Sequence, residues 1–119
     1  MIPGFTIFLP FPPTSNNMFV NVPKVGRVMS KDYKSWRKDG ENLYLTQRKP
    51  APILGPFKLL IEMKRPDARR RDATNLIKAP EDMLVDLGLI RDDCDAEEVT
   101  ARWVKEDLGG MIRLTVEAV

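Results

Sequence analysis

An almost unbroken apolar run, FKLLIEM at residues 57–63, is the feature that most limits the folds open to this chain. A short apolar run of bulky side chains is typical of a strand inside a sheet. We therefore predict a central, well-buried strand at this position. The preceding KPAP sequence at residues 49–52 cannot continue a helix, because its prolines lack the backbone N–H.

The first part of the chain predicts a strand followed by an irregular loop. Residues 5–9 are apolar and β-favouring and end at a proline, so we predict a strand there. Residues 10–21, PFPPTSNNMFVN, combine three prolines with short polar side chains that hydrogen-bond locally. We predict a loop, in which Asn16 and Asn17 either contact a ligand or only build a turn.

A helix is predicted after a short glycine-centred segment. Residues 22–29 carry lysine and arginine around Gly26 and are predicted to form a hairpin or a loop. Ser30 is a suitable N-cap for a helix that runs to about Arg48. One side of this helix is expected in the core rather than in a nucleotide-stacking site, and it carries Tyr33, Trp36, Leu43 and Tyr44.

A second segment of helical periodicity starts near Asp72 and ends at Gly88, which is a good C-terminal cap. Its apolar residues are Leu76, Ile77, Met83, Leu84 and Leu87. Pro80 crowds the preceding turn and has no N–H to donate. We therefore predict a kink or a break there, with Pro80 opening the second half. Residues 89–95 are predicted to be a short connection.

The last part of the chain predicts two strands that form a hairpin. Residues 99–104 and 111–116 alternate apolar with polar side chains, and the DLGG sequence at residues 107–110 lies between them. The predicted order of elements is β-α-β-α-β-β. It indicates an α+β fold in which two helices cover a mixed sheet, and residues 1–119 are expected to form a single domain.

The chain has no histidine and one cysteine, Cys94. Histidine-dependent catalytic triads, histidine-bearing zinc sites and disulfides within the chain are thereby excluded. We expect Cys94 to be an incidental small residue rather than a reactive thiol. Any catalysis must rely on carboxylates, lysine and metal-bound water, and carboxylate oxygens favour Mg²⁺ or Mn²⁺. No organic cofactor is expected.

The composition is that of a soluble globular protein, with 43% hydrophobic and 30% charged residues. No stretch approaches the roughly 20 apolar residues that a membrane-spanning helix needs. The N-terminal sequence also lacks the basic flank and cleavage site of a signal peptide. We therefore expect a cytoplasmic protein without a membrane partner.

Charge is unevenly distributed between residues 64 and 95, although the formal net charge of the chain is only +2. Five basic residues lie at the start of this stretch: Lys64, Arg65, Arg69, Arg70 and Arg71. Acidic residues accumulate further along, between Glu81 and Asp107. A chain polarised in this way can bind a polyanion with one surface and a cation with another.

Three polar residues follow helical spacing between these charges. Asp72, Asn75 and Lys78 can share one side of the predicted helix. If the chain folds back after the helix, Asp72 and Asp93 can share a divalent cation that activates water for attack on phosphorus. Lys78 would then stabilise the pentavalent phosphorus or protonate the leaving oxygen. The arginines upstream would bind the flanking phosphates.

Each of these features also has a purely structural interpretation. Asp72 suits a helix N-cap, the arginines suit a solvated surface, and the DDCD sequence at residues 92–95 suits an exposed acidic turn. Taken together they favour a metal site, because an acidic cluster destabilises a fold by repulsion unless a cation offsets it.

Three motifs make the chain similar to the RusA family of Holliday junction resolvases, which occurs in bacteria and their phages. They are the proline-rich loop ending in SNN at residues 9–17, RRRDATNLIKA at residues 69–79 and LGLIRDD at residues 87–93. The resemblance implies a RusA-like fold and a homodimer that nicks two opposed strands of a four-way DNA junction in recombination and repair. It also implies dependence on Mg²⁺ or Mn²⁺. Two-fold symmetry suits a junction, which has two equivalent scissile phosphates.

The resemblance further implies roles for individual residues. Asp72 matches the first catalytic aspartate of the family, Lys78 its catalytic lysine, and Asp93 the aspartate of its downstream turn. Asp92 and Asp95 remain alternatives to Asp93 as the main metal ligand. We assign the DNA contacts to Arg69, Arg70, Arg71, Asn75, Asn16, Asn17, Lys64 and Arg65.

Thr74 departs from the family pattern, which usually has a second acid at this position. A neutral hydroxyl is a weak metal ligand, so the site should hold its cation less tightly. Either Asp92 or Asp95 compensates, or catalysis is impaired. Two alternatives follow: a module that binds branched DNA without cutting it, and a general DNA- or RNA-binding domain, which leaves the acidic cluster unexplained.

Overall fold

The computed structural model describes residues 2–119, which form six strands, two α-helices and three short 3-10 helices. The strands are β1 (Gly4–Pro10), β2 (Phe19–Val22), β3 (Gly26–Met29), β4 (Phe57–Met63), β5 (Ala96–Trp103) and β6 (Met111–Ala118). The α-helices are α1 (Lys31–Leu45) and α2 (Lys78–Asp86). The 3-10 helices are Ser15–Asn17, Ala73–Leu76 and Asp93–Asp95. The predicted α+β class is confirmed.

The strand β4 lies inside a four-stranded sheet whose order is β1-β6-β4-β5. Ile61, near its centre, pairs with Leu114 of the antiparallel β6 and with Ala101 of the parallel β5. With a strand on each side, β4 lies inside the sheet; Phe57 and Met63 are fully buried, and Leu60 is partly buried. The predicted central strand is therefore confirmed.

Both α-helices contribute side chains to one core beneath the sheet. Tyr33 and Trp36 of α1 are buried in the same cluster as Met83 and Leu84 of α2. The predicted N-cap of α1 is confirmed, since Ser30 Oγ accepts a hydrogen bond from the Tyr33 backbone N–H at 3.0 Å. Within residues 2–119, neither helix has the length and apolar character that crossing a membrane requires.

The predicted hairpin between residues 99–104 and 111–116 is wrong. The strands β5 and β6 are not neighbours, because β4 lies between them. The turn itself is present, with Gly109 and Gly110 at φ values of 65° and 78°, a region that glycine adopts without strain. The alternation of apolar and polar side chains indicates which face of a strand is buried, but it does not indicate which other strand pairs with it. The apolar β4 is best buried with β5 on one side and β6 on the other.

Part of the loop predicted at residues 10–21 is also wrong, because Phe19–Val22 is β2. It pairs with β3 in a separate two-stranded sheet, so the hairpin alternative for residues 22–29 is confirmed. Residues 23–25 form its tip, where Lys24 has a positive φ, and Gly26, also with a positive φ, begins β3. The prolines and asparagines before β2 indicated a loop so strongly that the short strand after them was not predicted.

The predicted second helix is divided into two. Ala73–Leu76 is a 3-10 helix and α2 begins only at Lys78, so the expectation that an α-helix starts at or near Asp72 is wrong. The predicted break is present, slightly before Pro80. Pro80 lies in the first turn of α2, where a missing N–H breaks no helical hydrogen bond. Gly88, at φ 73°, ends the helix as predicted.

Candidate active site

Lys78 forms ion pairs with two carboxylates at the start of α2. Its Nζ lies 3.1 Å from Asp82 Oδ1, one helical turn further along, and 3.1 Å from Asp93 Oδ2. Asp93 reaches this position because the chain reverses at Gly88 and then forms the 3-10 helix Asp93–Asp95. The hydrogen bonds to Asp82 and Asp93 raise the pKa of Lys78 above its usual range. The ammonium therefore stays charged at neutral pH.

Asp82 and Asp93 also line a cleft of about 270 Å³, which we call the acidic cleft. Its aspartates are Asp82, Asp86, Asp92 and Asp93. Among residues 2–119, Arg37 is the only basic residue in the lining, and it forms an ion pair with Asp86. Carboxylates thus outnumber cations around the cleft, which favours the binding of a positive ion.

The pKa of Glu81 is affected by the same excess of negative charge. Burial and the nearby charge of Asp93 raise the pKa of the Glu81 carboxyl above its ordinary value. The first effect comes from lost hydration and the second from repulsion between carboxylates. The region around Asp93 is therefore one in which further negative charge is costly.

The other two downstream aspartates have structural partners. Asp92 Oδ1 accepts a hydrogen bond from the Cys94 backbone N–H at 3.0 Å, which lowers the pKa of Asp92. Asp95 accepts hydrogen bonds from Arg91 Nε and Nη2 at 3.1 and 3.0 Å. Asp95 is therefore held by Arg91, whereas Asp92 and Asp93 both line the acidic cleft.

Asp72 is not part of the lining of the acidic cleft. It is exposed and occupies the N-cap position of the 3-10 helix Ala73–Leu76 without a side-chain capping hydrogen bond. Thr74, two residues later, is exposed as well. Within residues 2–119, no three acidic or thiol groups converge as a metal site. The structure therefore does not gather Asp72, Asp92 and Asp93 into one three-carboxylate group.

The loop that carries Asn16 and Asn17 packs against the 3-10 helix that carries Asn75. The fully buried Met18 and a hydrogen bond of 2.6 Å from Ser30 Oγ to the Asn17 carbonyl hold this loop in place. Asn16 and Asn17 are exposed and Asn75 is partly buried. The structure thus brings the asparagines of two separate motifs into one region.

The run of three arginines is partly neutralised by Asp67, a partner that was not predicted from the sequence. Arg71 Nη2 donates to Asp67 Oδ2 at 3.1 Å, and the Arg69 backbone N–H donates to Asp67 Oδ1 at 2.9 Å. These hydrogen bonds, that of Arg71 first, hold the pKa of Asp67 well below its usual range. Arg70 is exposed and has no ion-pair partner among residues 2–119.

Lys64 and Arg65 follow directly after β4 and are exposed. The Arg65 guanidinium lies 4.3 Å from the ring centroid of Trp103, the last residue of β5. Since β5 begins directly after Asp95, these residues lie at the opposite end of the strand from the acidic cleft. The predicted DNA contacts therefore occupy at least two regions of the surface.

Asp82 and Arg37 are two site residues that were not predicted from the sequence. Asp82 had a detectable signal, because it follows Lys78 by four residues, the spacing of a helical ion pair. No sequence pattern pointed to Arg37, because its partner Asp86 lies on α2 and only the packing of α1 near α2 brings the two residues together.

The family model described as Endodeoxyribonuclease RusA matches residues 10–117 of this chain. Crossover junction endodeoxyribonuclease RusA of Escherichia coli (strain K12) is 33% identical over 114 residues, which cover 94% of this chain and 92% of the relative. Proteins of the same name from Shigella sonnei (strain Ss046) and Enterobacteria phage 82 have the same identity and coverage. The chain therefore belongs to the RusA family of endodeoxyribonucleases.

Proposed function

We propose that this chain is an endodeoxyribonuclease that resolves four-way DNA junctions by paired nicking in recombination and repair, with Mg²⁺ or Mn²⁺ as its cofactor. The names of its relatives support the junction as substrate, because they are crossover junction endodeoxyribonucleases. The observation that carries the proposal is the Lys78 ammonium, held between Asp82 and Asp93 beside the acidic cleft. A fixed cation next to carboxylates suits the stabilisation of charge on a phosphate.

Lys78 acts as an electrostatic group in this proposal. A general acid works best when its pKa is close to the working pH, whereas hydrogen bonds to Asp82 and Asp93 raise the pKa of Lys78. The ammonium is therefore a poor proton donor. Of the two roles considered for Lys78, stabilisation of the pentavalent phosphorus is favoured over protonation of the leaving oxygen.

Asp72, Asp93 and Asp92 are the proposed ligands of the divalent ion. Their oxygens are hard donors, and Mg²⁺ commonly binds through one or two carboxylates together with waters and substrate phosphates. Such an ion would activate water and neutralise charge on the phosphate. The excess of aspartates in the acidic cleft supports cation binding. Because Lys78 has two partners, Asp82 still holds the ammonium when Asp93 binds a cation.

Exposed basic residues are proposed to bind phosphates of the DNA backbone: Lys64, Arg65, Arg69 and Arg70. Of the three arginines at residues 69–71, Arg70 is the one without an ion-pair partner among residues 2–119. Arg71 binds DNA only where a phosphate replaces Asp67. Amide groups of Asn16, Asn17 and Asn75 add neutral donors beside Asp72.

A homodimer is the proposed assembly. A four-way junction has two equivalent scissile phosphates, and a two-fold dimer presents two equivalent sites to them. Symmetric cleavage then needs no rearrangement of the protein between the two nicks.

A module that binds branched DNA without cutting it is the second candidate. Two observations favour it: a neutral Thr74 stands where the family pattern implies an acid, and residues 2–119 contain no three-carboxylate group. The basic residues of the DNA surface do not depend on that group. Binding would therefore persist without hydrolysis.

Incubation of the purified protein with a synthetic four-way junction, with Mg²⁺ and with a chelator, separates the two candidates. Nicked duplexes that form only with the metal support the resolvase. Asp72→Asn should bind the junction but not cut it, while Asp39→Asn, at an exposed position of α1, should cut normally. Tight binding by the unmodified chain without cleavage, at every Mg²⁺ or Mn²⁺ concentration, would establish the binding module instead.

A further inference from the structure

A partly exposed tryptophan lies far from the acidic cleft. Trp103 is the last of the eight residues of β5, and β5 begins directly after Asp95. At about 3.3 Å for each residue of a strand, Trp103 is about 23 Å from the first residue of β5. The indole therefore belongs to a different region of the surface from Lys78 and Asp93.

Trp103 packs against an aromatic ring and a guanidinium. Its ring centroid is 6.4 Å from that of Phe11, with the planes inclined at 16°. The Arg65 guanidinium carbon lies 4.3 Å from the indole centroid. Phe11 follows β1 and Arg65 follows β4, so three separate parts of the chain meet here. By contrast, Trp36 of α1 is buried in the core.

This stack borders an open hollow with basic walls. The hollow has a volume of about 500 Å³ and is lined by Lys64, Arg65, Trp103, Val104 and Lys105. Among residues 2–119, no acidic side chain lines it. An adjoining hollow of about 310 Å³ shares Lys64 and Arg65 and extends to Phe11. We call the first of these the aromatic hollow.

We infer that the aromatic hollow binds an unpaired nucleotide of the DNA, with the base stacked on the Trp103 ring beside Arg65 and the phosphates beside Lys64 and Lys105. Every nucleobase has a flat face that stacks on aromatic rings and guanidinium planes, and cations hold the adjoining backbone. Bases inside a duplex are already stacked on both faces. The hollow therefore selects DNA in which a base is unstacked, as at a branch point or a frayed end. The inference rests on the proposed function for DNA as the ligand.

A base-dependent binding assay tests the inference. The probes are a fluorescein-labelled oligothymidylate and an abasic oligonucleotide with the same number of phosphates. The unmodified protein should bind oligothymidylate about tenfold more tightly than the abasic probe, because one stacked base contributes a free energy of about that size. Trp103→Ala should abolish this preference and Trp103→Phe should keep most of it. Lys105→Gln is the matched control, because it should weaken the binding of both probes by the same factor.

A second measurement needs no variant, since the chain has only two tryptophans. Oligothymidylate should quench the fluorescence of Trp103, while the buried Trp36 is out of reach, and the abasic probe should not quench. Equal affinity of the unmodified chain for the two probes, or an unchanged preference in a folded Trp103→Ala variant, would overturn the inference. Junction cleavage is scored separately. In the unmodified chain, equal affinity for the two probes with cleavage intact rejects the hollow alone, whereas a base preference without cleavage rejects the nuclease alone.

Discussion

Lys78 and Asp93 are 15 residues apart in the chain, yet Lys78 Nζ and Asp93 Oδ2 lie 3.1 Å from each other. The contact exists because α2 starts at Lys78 and the chain reverses at Gly88 before it reaches Asp93. The RRRDATNLIKA and LGLIRDD motifs thus meet at one ion pair. This ion pair between the two motifs fixes the position of the Lys78 ammonium in the site.

Replacing Lys78 with methionine should remove most junction cleavage and leave junction affinity nearly unchanged. Loss of one group that stabilises transition-state charge lowers the rate by about 10²–10³-fold, whereas many other cations attract the DNA. Single-turnover cleavage and equilibrium binding measure the two effects. Lys78→Arg keeps the charge and should keep part of the activity. A normal cleavage rate in Lys78→Met would leave the ion pair with a structural role only.

Asp82→Asn should lower cleavage about tenfold by loosening the position of the ammonium. Asp82 makes the largest contribution to the raised pKa of Lys78, so that pKa should fall in the variant. The charged form of Lys78 is then lost at a lower pH, although the pairing with Asp93 still keeps the ammonium charged at neutral pH. Asp39→Asn is the charge-matched control. Equal single-turnover cleavage rates for Asp82→Asn and the unmodified chain would mean that Asp82 does not act through Lys78.

The pattern of apolar residues predicted the strands and helices that form the core. FKLLIEM predicted β4 as a central strand because burial on both sides demands an apolar run, and Ser30 marked the start of α1. The same pattern failed for β5 and β6, whose alternation is real but whose partner in the sheet is β4. Strand partners depend on the whole sheet, which no local window contains.

The contacts of the candidate site could be predicted from the sequence only where helical spacing determines them. The distance between Lys78 and Asp82 is set by one turn of α2, whereas the hydrogen bonds of Arg71 with Asp67 depend on a loop conformation that local preferences do not specify. The arginine run therefore looked more available in the sequence than it is in the structure.

Asp67→Asn should strengthen junction binding at low salt and make it more dependent on salt. The substitution releases Arg71 from its carboxylate partner, so that one more cation can meet a phosphate. Each added phosphate contact steepens the slope of log affinity against log salt by about 0.9. Anisotropy titrations across a series of NaCl concentrations measure the slope. Asp39→Asn removes the same charge elsewhere, and an equal steepening in that variant would show a general charge effect instead.

Thr74→Asp should lower the Mg²⁺ concentration that gives half-maximal cleavage, by about tenfold, because a carboxylate adds a charged oxygen donor beside Asp72. Thr74→Asn, with a neutral side chain of the same shape as aspartate, is the matched control. The measurement is initial cleavage rate against Mg²⁺ concentration for the three proteins. If aspartate and asparagine give the same curve, position 74 lies outside the metal site.

Glu62→Gln should destabilise the protein by about 2 kcal/mol at neutral pH, the scale of hydrogen bonds to a charged group. Glu62 is a buried carboxylate on β4 that accepts hydrogen bonds from Arg113 Nε at 2.9 Å and Arg102 Nη2 at 2.7 Å. The hydrogen bond from Arg113, helped by Arg102, lowers the pKa of Glu62 although burial opposes this. Its stabilising effect is therefore complete above the unfolded-state pKa of about 4.3. The effect is lost as the pH falls through the folded-state pKa.

Urea unfolding of both proteins at a series of pH values measures that loss for Glu62. The difference in unfolding free energy between the unmodified chain and Glu62→Gln should be constant near neutral pH. It should then shrink as the pH falls below about 4.3, because the protonated carboxyl resembles the glutamine amide in charge. Glu98→Gln is the control, since Glu98 is exposed and its ion pair with Lys58 is 3.9 Å long. A difference for Glu62→Gln that is as large in acid as at neutral pH would show that shape rather than charge holds β4 to its two neighbours.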